Sequence, residues 1–145
     1  MTPDVNVLVA AARTDHVHHP VAAPWLRSTL GGTAAVDSLR LMPMVVASFL
    51  RLVTNPKVFA AATTPKVAVA YIDGLLELPG VELGALGPEW PLLRQLCIDK
   101  QLTGNALPDA WLAAAVMQQG EHLVTFDSDF RKLLPRNRLT VLTTT

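Results

Sequence analysis

The feature that most constrains this chain is the stretch Leu123-Val124-Thr125-Phe126-Asp127-Ser128-Asp129-Phe130. Leu, Val and Phe favour a pleated backbone, whereas Asp and Ser break strands and cap helices, so an apolar strand stops here at two carboxylates. In an open parallel sheet, ligands bind beyond the carboxyl ends of the strands, and an acid placed there points into the crevice. Two other segments supply matching acids. Asp4 precedes Val5-Asn6-Val7-Leu8-Val9, and Asp109 precedes Ala110-Trp111-Leu112-Ala113-Ala114-Ala115, each leading into an apolar helical run.

The rest of the chain alternates helix and strand signals. Val5 to Arg13 fits either by periodicity, and its alanines favour helix. A polar loop with Asp15, His16, His18 and His19 leads into a helix from Val21 to Leu30 that ends at Gly31-Gly32. Thr33 to Leu39 reads as a short strand, and Pro43 as the first residue of a helix through Val53, closed by Asn55-Pro56. A helix over 66–77 shows an apolar face of Val67, Ala70, Tyr71 and Leu75. Val81-Glu82-Leu83 alternates as a strand, and Pro88 opens a helix over 89–101. From Asp109 a helix with the small residues Ala110, Ala113 and Ala114 on one face ends at Gly120, as suits close packing on a sheet. Strand 122–126, a short helix over 128–134 and a last strand from Leu139 to Leu142 complete the pattern. Repeated β-α units imply an α/β fold with a mostly parallel sheet covered by helices on both faces. Its 145 residues suit one domain, 1–145, with no repeat or linker.

Three carboxylates at the mouths of different strands repel one another and raise each other's pKa unless a cation holds them together. Carboxylate oxygens select hard ions, so Mg²⁺ or Mn²⁺ suits the set better than zinc. Such an ion polarises a phosphoryl oxygen and lowers the pKa of a bound water, which points to phosphodiester hydrolysis. Each Asp taken singly also reads as a helix cap, worth about 1 kcal/mol. The twelve basic and twelve acidic residues cancel, which excludes nucleic-acid binding by bulk charge and requires any such contact to be local. His16, His18 and His19 lack the convergent partners of a zinc site and read as a solvated turn. Cys97 has no partner for a disulfide and sits among apolar residues, as expected of the core. No apolar run approaches the ~20 residues of a membrane span, and the start of the sequence lacks the pattern of a signal peptide, so a cytoplasmic location is the expectation.

The same residues carry a family resemblance over nearly the whole chain. Asp4-Val5-Asn6-Val7-Leu8-Val9, Pro108-Asp109-Ala110 opening an Ala-rich helix, and Thr125-Phe126-Asp127-Ser128-Asp129-Phe130 resemble the motifs of PIN-domain ribonucleases. Within them the match is to the VapC toxins of toxin-antitoxin modules, to which Phe49-Leu50-Arg51-Leu52-Val53-Thr54-Asn55-Pro56 and Asp15-His16-Val17-His18-His19 are also similar. The resemblance implies a PIN-like three-layer α/β/α sandwich, Mg²⁺-dependent endoribonuclease activity on RNA, a homodimer, and inhibition by a cognate VapB-type antitoxin lying over the active site. It assigns Asp4, Asp109 and Asp127 as catalytic, metal-binding carboxylates, Asn6 and Thr125 as polar support, and Asp129 as a supporting residue or cap.

One element of the family pattern is missing. Where PIN nucleases carry a glutamate near Phe49, Leu41 to Leu50 contains no acid, and Ser48 stands in the expected place. A hydroxyl holds a metal-bound water but brings no charge, so cation affinity should fall. Three readings follow: weaker catalysis by the three aspartates alone, replacement of the glutamate by an acid from elsewhere in the chain, or a catalytically impaired module that binds antitoxin or RNA without turnover. The basic run Arg131, Lys132, Arg136 and Arg138 follows the acidic motif, and Arg51 lies on the helix that lacks the glutamate. Of these, Arg51, Arg131 and Lys132 are candidate contacts to the RNA backbone. Trp25, Trp90 and Trp111 read as core or dimer packing rather than base-stacking residues. A phosphatase of the haloacid dehalogenase class shares the Asp-x-Asp after a strand, but too little chain follows Asp129 to build one. An exposed apolar groove is the expected seat for an amphipathic antitoxin helix.

Overall fold

Two residues of strand are enough to start this chain because every neighbour is already in place. In the computed structural model, which describes residues 1–31 and 38–144, β1 (Thr2–Pro3) pairs in parallel with β4 (Leu123–Thr125), and β4 pairs in parallel with β5 (Leu139–Val141). On the other side β2 (Leu39–Leu41) pairs in parallel with β3 (Val81–Leu83). The two groups are joined at the first residue: the Arg40 N–H donates to the Met1 carbonyl at 2.9 Å, and the terminal ammonium donates to the Ser38 carbonyl at 2.9 Å and to Glu121 at 3.0 Å. The resulting order is β3-β2-β1-β4-β5, all parallel, with β1 at the centre.

Helices connect the strands and flank the sheet: α1 (Val5–Ala12), α2 (His19–Leu30), α3 (Pro43–Val53), α4 (Pro65–Leu76), α5 (Trp90–Lys100) and α6 (Ala106–Gln118). The expected α/β/α layering is what forms. Proline at the first turn of α2, α3, α4 and α5 pre-sets the backbone angle where its missing N–H costs nothing. Alternation along β4 separates two apolar clusters. Leu123 joins the large one with Leu8, Leu39, Leu41, Val45, Phe49, Ile72, Leu112 and Phe130, while Val124 joins Val7, Ala10 and Ala22 on the opposite face.

Several expectations shift in detail. β1 itself was not legible, since two residues carry no periodicity. The strand expected over Thr33 to Leu39 falls mostly outside the described residues, and β2 runs from Leu39. On α4 the buried face is Ala68, Ile72 and Leu75, with Val67 59% exposed, so the apolar stripe is rotated by about one residue from the expected one. The short helix after β4 is 3-10 in form, Ser128–Lys132. Among the described residues no helix is long and apolar enough to cross a membrane.

Candidate active site

The parallel register of β1 and β4 places Pro3 beside Val124, so Asp4 comes level with Thr125 just past the strand end. There the Asp4 carboxylate caps α1, accepting from the Val5 N–H at 2.7 Å through Oδ1 and from the Thr125 hydroxyl at 2.8 Å through Oδ2. The same hydroxyl accepts from the Asn6 amide at 3.2 Å and from the Asp127 N–H at 3.0 Å. Asn6 in turn accepts the Phe126 N–H at 3.2 Å. A buried Thr125 thus ties both acidic strand ends together, with Asn6 bracing the turn. Asp127 caps the following 3-10 helix by accepting the Asp129 N–H at 2.9 Å. Capping and clustering are therefore combined at Asp4 and Asp127, whereas Asp109 does not cap its helix: α6 begins earlier, with Asn105 at the N-cap, and Asp109 lies inside the first turn.

Asp109 reaches the cluster from the first turn of α6. This helix lies close to the core because Ala110, Ala113, Ala114 and Ala115 are wholly buried and small. Partial burial, followed by the negative charges of Asp4, Asp127 and Asp129, pushes the Asp109 carboxyl up to about 6. Burial also raises Asp4, outweighing its two hydrogen bonds, and the charge of Asp127 adds to the rise. Among the described residues none of these carboxylates forms an ion pair.

Two clefts meet at Asp109. The larger, about 890 Å³, has Asp4, Asp109 and Ser48 on a wall otherwise apolar, with Met44, Leu93, Trp90, Trp111 and Cys97. Ser48 on α3 thus borders the same space as two of the aspartates. The smaller cleft, about 550 Å³, is the more polar of the two, with Asp109, Asp129, Lys100 and Lys132 set among Leu102, Ala106 and Leu133. Arg51 and Arg131 are exposed and line neither cleft. Lys100 was not singled out from sequence: only the fold brings the end of α5 beside Lys132.

Cys97 is half-buried on the cleft wall and not in the core, because α5 buries none of its residues fully. Trp25 packs half-buried against the core. Trp90 and Trp111 do not, at 60% and 37% exposure. Trp111 is held by Glu89, an acid that sequence reasoning passed over. Its indole N–H donates to Glu89 at 2.8 Å, and the Gly87 N–H donates to the other carboxylate oxygen at 2.7 Å. Burial alone would raise Glu89, but these bonds win and hold it below the ordinary range. Glu89 lines neither of the two clefts that Asp109 borders. His18 is stacked on Phe126 with ring centroids 4.6 Å apart, fixing the polar turn to the back of the acidic strand end.

The model of the PIN domain family matches residues 1–133. The chain is also 36% identical over 130 residues to ribonuclease VapC25 of Mycobacterium tuberculosis, covering 89% of each chain. It belongs to the VapC ribonucleases of the PIN-domain family. A VapC ribonuclease of Mycobacterium bovis, Mb2897, is 36% identical over 131 residues, covering 89% of this chain and 86% of its own. Among solved structures, VapBC2 from Rickettsia felis, bound to a DNA fragment from its promoter, superposes with a TM-score of 0.65 over 97% of this chain and 96% of its own. At 17% identity that likeness establishes the fold.

The donor set of this PIN site suits a hard divalent cation in chemistry, being carboxylate oxygens without a basic partner. In geometry, among the described residues no three His, Cys, Asp or Glu side chains converge on one direct-ligand position. Mg²⁺ keeps several of its waters and is held through one or two carboxylates, so the arrangement fits an ion bound partly through water.

Proposed function

We propose that this chain is the toxin of a toxin-antitoxin pair, an endoribonuclease that depends on Mg²⁺ or Mn²⁺ and hydrolyses RNA phosphodiester bonds in the cytoplasm. The observation that carries the reading is the placement of Asp4, Asp109 and Asp127 near one another with no basic partner, where the charges of the other acids add to the burial that raises the Asp109 carboxyl. A divalent cation at these acids supplies a polarised phosphoryl oxygen and a water of lowered pKa. The chain's own part is orientation. Thr125 and the Val5 N–H fix both oxygens of Asp4, and the Ser48 hydroxyl offers a neutral hydrogen-bonding group on the same cleft.

The apolar cleft supports a second part of the proposal, a VapB-type antitoxin whose apolar side chains enter beside Asp4 and Asp109 and deny them to RNA. Exposed Trp90 and Ile98 on α5, a helix with no fully buried residue, favour coverage by another protein chain, a homodimer partner included. The absence of an acid at Ser48 favours one rival, a module that binds antitoxin or RNA without turnover. Incubation of purified protein with a total RNA pool in Mg²⁺ or Mn²⁺ separates the two. Cuts that disappear in EDTA and in Asp4→Asn are the expected result. Metal binding without any cut would support the rival.

A further inference from the structure

The polar cleft has an arrangement that the metal-binding role of Asp109 does not explain. Lys100, at the end of α5, and Lys132, at the end of the 3-10 helix after β4, border the same space as Asp109 and Asp129. Among the described residues neither lysine forms an ion pair. The Gln95 amide donates to Asp99 at 2.7 Å, engaging the acid next to Lys100 in sequence. Both lysines are exposed and border a cleft of about 550 Å³, with Asn105 on its lining as well. Such a space suits an anion that carries hydrogen-bond acceptors on several sides, and a lysine binds a phosphate as a flexible point charge.

We propose that this cleft seats a phosphate of the RNA backbone adjoining the one that is cut, with Lys100 and Lys132 as its positioning residues. The inference rests on the ribonuclease reading above. Asp109 lines both clefts, so a strand whose scissile phosphate lies at the acidic cluster carries its next phosphate onto the lysines. The apolar cleft on the other side of Asp109 is left to a protein partner. Lysine contacts to phosphates carry no base information, so the site sets the register of the strand and not the sequence that is cut.

The test uses Lys100→Gln, Lys132→Gln and the double variant, with Lys100→Arg to restore charge and Lys57→Gln, outside both clefts, as a charge-matched control. Cleavage of a single-stranded oligoribonucleotide should show KM raised about five- to tenfold by each Gln substitution with kcat little changed. Binding of the same RNA to these variants in an Asp4→Asn background should lose about 0.7 from the slope of log K against log salt per lysine removed. Lys100→Arg should restore both, and Lys57→Gln should alter neither. Unchanged KM and salt slope in the double variant, while the wild type still cuts RNA, would overturn the phosphate seat and leave the ribonuclease reading intact. Wild-type protein that neither binds nor cuts RNA would overturn both. Competition by polyglutamate but not by RNA would reassign the cleft to an acidic peptide.

Discussion

At the scale of single residues, the site is organised by one hydroxyl and limited by one repulsion. Thr125 donates to Asp4 and accepts from Asn6 and Asp127, so its identity fixes the geometry of two carboxylates from opposite ends of the chain. Asp109 bears that repulsion on top of the larger effect of its burial. Its folded pKa, about 6, lies above the ordinary 3.8, so its relative stabilising contribution is full below about pH 4 and is lost as pH rises through 6. In metal-free buffer Asp109→Asn should therefore stabilise the protein at pH 7.5 and have little effect near pH 4. The gain should be about 1–2 kcal/mol, well under the full linkage value because the group is partly solvated. Thermal melts of the two proteins at both pH values check this; equal melting at pH 7.5 would show that the acids do not strain the fold. Asp4 and Asp127 were legible as acids after or between apolar runs. Thr125 was legible only through the family motif, and its three bonds depend on a register no sequence states.

At the scale of elements, the boundaries that physical chemistry marks strongly were readable and the others were not. Prolines at helix starts placed α3 and α5 closely, and Gly120 marked the end of α6, whose start at Ala106 precedes the expected Asp109. Gly120 has φ 64°, a left-handed conformation that a side chain resists. Gly120→Ala should lower stability by about 1 kcal/mol, read as an earlier denaturant midpoint with an unchanged slope; no shift would mean that the turn relaxes freely. The two-residue β1 escaped because its pairing comes from β4 and from Met1 rather than from its own residues. The apolar stripe of α4 was misplaced since Val67, at its first turn, is exposed while the smaller Ala68 faces the core. α5 misled in the opposite sense. Its apolar residues, Trp90, Leu93, Cys97 and Ile98, suggested a core helix, yet they border a cleft or solvent.

At the scale of the whole molecule, the sheet order gathers the acids at one end and leaves two unlike clefts on either side of Asp109. The apolar cleft and the uncovered α5 account for the hydrophobic surplus, which half the composition being apolar had hinted at without locating. The balanced net charge leaves RNA binding to local groups, the part proposed for Lys100 and Lys132. With Ser48 in place of an acid, the site has one carboxylate fewer to hold a hard cation. The direct measurement is the single-turnover rate of RNA cleavage against Mg²⁺ concentration, for the wild type beside Ser48→Glu. Cleavage by both proteins, with half-saturation at roughly tenfold lower Mg²⁺ for Ser48→Glu, is the predicted result, since an added carboxylate strengthens a hard-ion site. Cleavage by Ser48→Glu alone would contradict the account and mark the natural chain as a binding module built on a nuclease fold.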